Sequence, residues 1–206
     1  LSLVREESSC MNRFVLADPD QCIGCRTCEI ACVIAHSTNN PFISPDDEFH
    51  FHPRLKVIKS FGVTAPVQCR HCEDAPCANA CPNGSITNAD GCILINSESC
   101  IGCKTCMIAC PYGAITMVPQ YKDGQPVVQD GLYTNMSGRL QPKERMIASK
   151  CDLCEGVDGG PACIGKCPTK ALKLVEPDLV HARVEEKRAA SARQLLHMTR
   201  IPATGQ

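Results

Sequence analysis

A chain of 206 residues with 18 cysteines, 4% aromatics and no tryptophan keeps little apolar material for a large core once the cysteines are set aside. Its formal charge of −1 offers no basic footprint for a nucleic-acid backbone. Cysteine at this density, in a chain this long, points to bound metal rather than to a disulfide framework, and the metal is expected to organise what a small core cannot.

Leu1 to Cys10 shows no basic segment leading into an apolar run, and nothing later approaches the roughly 18 consecutive apolar residues of a membrane span. The expected setting is a reducing cytoplasm with no membrane anchor. Met11-Asn-Arg-Phe-Val-Leu-Ala reads as a natural start, which leaves Cys10 outside the functional set. Phe14 to Ala17 is predicted as a strand, turned by Asp18-Pro19-Asp20 into the first cysteine run, Cys22-Ile-Gly-Cys25-Arg-Thr-Cys28-Glu-Ile-Ala-Cys32. Val33, not proline, follows Cys32, so the segment reads as a helix continuing to about His36. His36 is expected to cap the helix or face solvent. Thr38 to Pro53 reads as an inserted loop, in which His50 and His52 alternate with Phe49 and Phe51 as a wet-edged strand or docking loop. Arg54 to Phe61 alternates like a strand.

The second run, Cys69-Arg-His-Cys72-Glu-Asp-Ala-Pro-Cys77-Ala-Asn-Ala-Cys81-Pro82, has a widened gap before its third cysteine. His71 within it is read as an N–H donor toward cluster sulfur, as a cap of the loop or as a solvent-exposed ring. Cys92 falls in the return strand of a hairpin and reads as a small buried hydrophobe. The third run is the most regular: Cys100-Ile-Gly-Cys103-Lys-Thr-Cys106-Met-Ile-Ala-Cys110-Pro111. Three thiols on a tight loop wrap one corner of a [4Fe-4S] cubane, and a fourth before proline, opening or lying on a short helix, ligates a second cluster. A zinc knot uses cysteine pairs and has no need of the third thiol or the trailing Cys-Pro.

Residues 119–146 read as an irregular spacer with short strands. The fourth run, Cys151, Cys154, Cys163 and Cys167-Pro168, is the most widened, and residues 178–200 read as a helical tail that packs across the domain or onto a partner. Cys81-Pro-Asn-Gly-Ser-Ile-Thr, Cys110-Pro-Tyr-Gly-Ala-Ile-Thr and Cys167-Pro-Thr-Lys-Ala-Leu-Lys are internal repeats, each turning into a short strand that presses Ile86, Ile115 or Leu172 over a cluster. Arg26 and Lys104 hold equivalent places; each either raises the potential of its cluster or points to water.

The runs supply four groups of four thiols. Runs two and three, adjacent in the chain, are expected to form one two-cluster unit: Cys69, Cys72 and Cys77 with Cys110, and Cys100, Cys103 and Cys106 with Cys81. Runs one and four then close around it: Cys22, Cys25 and Cys28 with Cys167, and Cys151, Cys154 and Cys163 with Cys32. Pairing one with two and three with four stays open as the more local alternative. Four oxidised clusters would take the chain to about −9. The expected fold is α+β, two tandem bacterial-ferredoxin-like modules in pseudo-twofold relation with inserted loops and a C-terminal helix. The first module spans 11–68 with 147–180, and the second, 69–118, is inserted within it.

The four runs, their spacers and the phrase Cys69-Arg-His-Cys72-Glu-Asp-Ala-Pro-Cys77-Ala resemble the four-cluster electron-transfer subunits of the molybdopterin oxidoreductase family. These include the beta subunits of formate dehydrogenases, dimethyl sulfoxide reductase and polysulfide reductase. Met11-Asn-Arg-Phe-Val-Leu-Ala-Asp with the first run resembles the short soluble branch, which holds the ferredoxin-like subunit of formate hydrogenlyase and the electron-transport protein associated with formate dehydrogenase H. The resemblance covers about residues 11–180. It implies the one–four and two–three pairing, a non-catalytic role, and a large molybdopterin subunit as partner, formate dehydrogenase first, with a hydrogenase or flavoprotein as further acceptor. A freestanding polyferredoxin and a maturation factor for the dehydrogenase are the competing readings. Chemistry at a cluster would need an open iron site, and no run has only three ligands.

Overall fold

The computed structural model describes residues 11–37, 50–136 and 138–198. The expectations for Cys10, Thr38 to Phe49 and residues 199–200 lie outside the described residues.

Local chemistry sets the cysteine loops. In all four runs the residue just before the second cysteine is left-handed: Gly24 (φ 70°), His71 (φ 48°), Gly102 (φ 68°) and Leu153 (φ 60°). This folds the first two thiols toward one point. Glycine is required at two of these places by close approach as well as by φ. A Cβ on Gly24 would come within 2.8 Å of the Thr64 methyl, and one on Gly102 would collide with the Met146 carbonyl oxygen.

Each loop feeds a helix whose length follows from what comes next. α1 (Thr27–His36) runs on past Cys32 because no proline stops it. α3 (Thr105–Ala109) ends just before Cys110, which takes an extended conformation (φ −74°, ψ 113°), as a residue preceding proline prefers. Cys110 therefore lies beyond the helix end, not on the helix. α2 (Pro76–Asn79) and α4 (Ala162–Gly165) are single turns started by Pro76 and Pro161.

Among the described residues the strands form six antiparallel two-stranded ribbons. β1 (Phe14–Ala17) pairs with β12 (Leu172–Val175), tying the two ends of the folded chain together with Phe14 opposite Val175. β2 (Leu55–Ser60) and β3 (Val63–Gln68) make a hairpin whose second strand has no counterpart in the sequence expectations. β4 (Ile86–Ala89) and β5 (Cys92–Ile95) form the expected hairpin after run two. β6 (Thr116–Pro119) pairs with β11 (Met146–Ser149) and closes the spacer at its base. The spacer is more regular than expected: β7 (Tyr121–Lys122) and β8 (Gln125–Pro126) make a small turn, and β9 (Val128–Met136) with β10 (Arg139–Glu144) makes a projecting arm whose β10 residues are all exposed.

Two small cores result. One gathers Val15, Leu55, Val57, Leu153 and Leu172 with Cys28, Cys32 and Cys163; the other gathers Ile86, Ile93, Ile115 and Ala148 with Cys77, Cys100 and Cys106. β5 is the wall between them. Successive side chains of a strand point to opposite faces, so Cys92 and Leu94 face the first core while Ile93 and Ile95 face the second. Ile86, Ile115 and Leu172 are buried as expected, and so is Cys92.

The last element, α5 (Pro177–Met198), is the expected helix, and only one of the two readings of what it packs against is set aside. Every residue from His181 to Leu196 is exposed, so the helix does not pack across the domain. Its polar surface is braced by the Arg183–Glu186 and Arg188–Glu185 pairs. No helix among the described residues is long and apolar enough to cross a membrane.

Candidate metal centres

The candidate thiols are brought together across runs. One small cavity is lined by Cys81, Cys100, Cys103 and Cys106, with Ile86, Ile95 and Met117 beside them. A second is lined by Cys22, Cys25, Cys28 and Cys167, with Val57, Pro66 and Leu172. In each, one thiol comes from a run other than the one that supplies the other three.

The remaining eight candidates are linked by the charges they feel. Burial, and then the nearby Cys69 and Cys110 thiols, push Cys72 upward, and the same groups do so to Cys77 against an opposing Lys150. Burial raises Cys163 to about 12, assisted by Cys32, Cys154 and Cys28, and it raises Cys151 still further, with Cys163, Cys32 and Cys69 adding to the effect. Cys106 is raised by burial and by Cys100, Cys103 and Cys81. The 17 described cysteines are all free of disulfides. Thiols gathered from different runs, several of them buried and pushed upward by their neighbours, are matched by a polynuclear cation with thiolate ligands. This donor chemistry fits iron–sulfur cubanes.

Donors are already directed at sulfur. Thr27 and Thr105, at equivalent places, donate their hydroxyls to Cys25 and Cys103 Sγ at 3.3 and 3.4 Å and hold both thiols below their ordinary pKa. Backbone N–H groups of Arg54, His71 and Ala148 point at Cys32, Cys69 and Cys100 Sγ at 3.3, 3.3 and 3.4 Å.

The histidines fall differently from their sequence readings. His71 is not solvent-exposed: it is 1% accessible, and its Nδ1 accepts the Ile93 N–H at 3.0 Å. Its Nε2 is buried without a partner among the described residues. Burial, reinforced by Lys150, lowers its pKa to about 3, so the ring is neutral. His36 is neither a simple cap nor a surface group. Its Nδ1 bonds the Cys32 carbonyl at 2.7 Å, and its Nε2 meets Asp152 at 3.0 Å. Burial alone would lower its pKa, but the hydrogen bonds to Asp152 and Cys32 win and raise it to about 10. Asp152 also pairs with Arg54 and accepts the Cys154 N–H, so it ties run four to run one. His36, Asp152 and Cys154 stand close enough to hold an ion, yet the acid and the two bases already satisfy one another. His50 stacks on Tyr121 at 4.1 Å and on His52 at 6.4 Å.

Arg26 and Lys104 are exposed at left-handed positions opening their helices. Two buried charged residues had no sequence reading. Glu29 is buried and accepts the Val57 N–H at 2.7 Å, and Lys150 is buried between the two cores. Each sits immediately beside a candidate ligand, and that adjacency was the available signal.

Residues 61–126 and 99–171 each match a 4Fe-4S dicluster domain family. The electron transport protein HydN of Escherichia coli (strain K12) is 44% identical over 88% of this chain and 98% of its own length. The chain belongs to the 4Fe-4S dicluster family. As a member it is an iron–sulfur, ferredoxin-like electron-transfer protein, not a catalyst of its own reaction. Formate hydrogenlyase subunit 2 of the same organism is 40% identical over 86% of this chain and 88% of its own. Hydrogenase-4 component A is 38% identical over 88% and 91%. The second dicluster match spans runs three and four, neighbours in sequence whose buried thiols lie in different cores of the fold.

Proposed function

We propose that this dicluster protein carries four [4Fe-4S] clusters and relays single electrons between a molybdopterin formate dehydrogenase subunit and a hydrogenase or other redox acceptor in the cytoplasm. The proposed ligand sets are Cys22, Cys25, Cys28 with Cys167; Cys151, Cys154, Cys163 with Cys32; Cys69, Cys72, Cys77 with Cys110; and Cys100, Cys103, Cys106 with Cys81. The observation carrying this reading is the pair of cavities in which three thiols of one run meet a fourth from another. The two cores support a first module of 11–68 with 147–180 around a second of 69–118. For the partners, support comes from relatives named as components of formate hydrogenlyase and of a hydrogenase.

A bound cubane supplies one-electron storage with little rearrangement. The chain's residues supply the surroundings. Thr27, Thr105 and three backbone N–H groups donate to sulfur, which favours the more negative reduced state, while the cores limit solvent around the inner thiols. Anaerobic purification from the native host should yield about sixteen irons per chain, four one-electron centres on titration, and a large molybdopterin chain held alongside. A fully loaded protein with two centres would refute the four-cluster assignment. One that always purifies alone would favour a diffusing polyferredoxin.

A further inference from the structure

The wall between the two cores is bound on its outer edge by side chains from two different cysteine runs. Ile93 pairs across β4 with Asn88, and its own N–H and carbonyl are taken by side chains instead. The N–H goes to His71 Nδ1 of run two at 3.0 Å, and the carbonyl accepts the Lys150 ammonium beside run four. Lys150 Nζ also donates to the Cys151 carbonyl at 3.0 Å. Lys150 is 3% accessible, and no acid forms a salt bridge with it among the described residues.

We propose that Lys150 is the charge that holds the two clusters at this seam, those of Cys69/Cys72/Cys77/Cys110 and Cys151/Cys154/Cys163/Cys32, at higher potential than the two outer ones. This rests on the four-cluster reading. An electron entering at either end then settles at the centre of the molecule. A buried cation stabilises added negative charge far more than an exposed one, because little water lies between them to screen it. That distinguishes Lys150 from Arg26 and Lys104, which stand exposed beside the outer sites. The position of the charge follows from its bonds: Lys150 reaches the same Ile93 of the wall that His71 of run two holds from the N–H side, and it also holds the Cys151 carbonyl of run four. The seam is narrow: the Cys92 thiol of the wall meets His71 Nδ1 of run two at 3.4 Å and the Asp152 carbonyl of run four at 3.4 Å. His71 contributes no charge there. It fixes the wall through an acceptor nitrogen, and the other cations near the seam, His36 and Arg54, are already paired with Asp152.

The test is a redox titration followed by electron paramagnetic resonance on the iron-loaded full chain. Lys150→Gln keeps a donor for the two carbonyls and removes the charge, while Lys150→Arg keeps the charge. In Lys150→Gln, two of the four centres should hold their electron at least tenfold more weakly, a fall of about 59 mV or more for a one-electron couple. The other two should move far less, and Lys150→Arg should stay near the parent. Equal shifts in all four centres, no shift, or the same shift in Lys150→Arg would overturn the role of charge. If Lys150→Gln loads no iron, the parent still decides. Cys69→Ser and Cys151→Ser should each remove or move one of its two highest-potential signals, and Cys22→Ser and Cys100→Ser one of the two lowest. The reverse order overturns the proposal. Iron analysis of the parent separates this from failure of the four-cluster reading, which would show as too few irons before any variant is made.

Discussion

Runs one and three are nearly the same loop set in different surroundings. Both read Cys-Ile-Gly-Cys, a cation, Thr and Cys, and both place the glycine and the cation in left-handed backbone with the threonine on the second thiol. Around run one, a buried Glu29 fastens β2, and Asp152 clamps His36 and Arg54. Around run three, Met107 takes the place of Glu29 and is largely exposed, and none of the described salt bridges reaches it. The conformation of each cysteine loop is thus specified locally. The ion pairs appear where two distant runs must be held together, whereas runs two and three, joined by a short hairpin, are tied by hydrogen bonds such as Asn83 to the Ser99 carbonyl and Ser99 to Ser85.

That contrast can be broken most directly at the glycines. Gly102→Ala should destabilise by about 3 kcal/mol or more, since a left-handed penalty is joined by a collision with backbone that cannot move aside. Gly24→Ala meets only a rotatable methyl and should lose about 1–2 kcal/mol. Thermal loss of visible absorption would compare them, and equal losses would contradict the packing described. Asp152→Ala strands two cations and should cost about 2–3 kcal/mol, with faster iron release from runs one and four than from runs two and three. Chelator challenge followed by resonance spectroscopy would show whether release is that uneven.

Smaller effects sharpen the same comparison. Glu29→Ala leaves the Val57 N–H buried and unpaired, for a loss of about 1–2 kcal/mol, whereas Met107→Ala should stay within about 0.5 kcal/mol. Thr27→Val and Thr105→Val should each remove about 1 kcal/mol and lower one potential apiece, by matching amounts. Truncation after Val180 should change the melting of the cluster-bearing body least, by no more than about 0.5 kcal/mol, because the helix is exposed from His181 to Leu196.

Much of this was legible in the residues. Cysteine spacing is a local property, and Pro111 ends α3 while Val33 lets α1 continue, both through the backbone geometry of adjacent residues. The alternation of Cys92-Ile-Leu-Ile marked a strand, but not that its two faces serve two cores. His71 looked like a loop residue because its burial comes from β5, whose Cys92 thiol lies 21 positions further along the chain. Lys150 looked like any lysine before a cysteine.

The amino-acid order alone therefore determined the cysteine loops, the repeated strands after each Cys-Pro and the family, since these depend on contacts within a few residues. Only the folded chain decided which runs share a core and where the buried charges sit. Burial is set by segments far apart in sequence, and an ion's influence depends on the water that their meeting excludes.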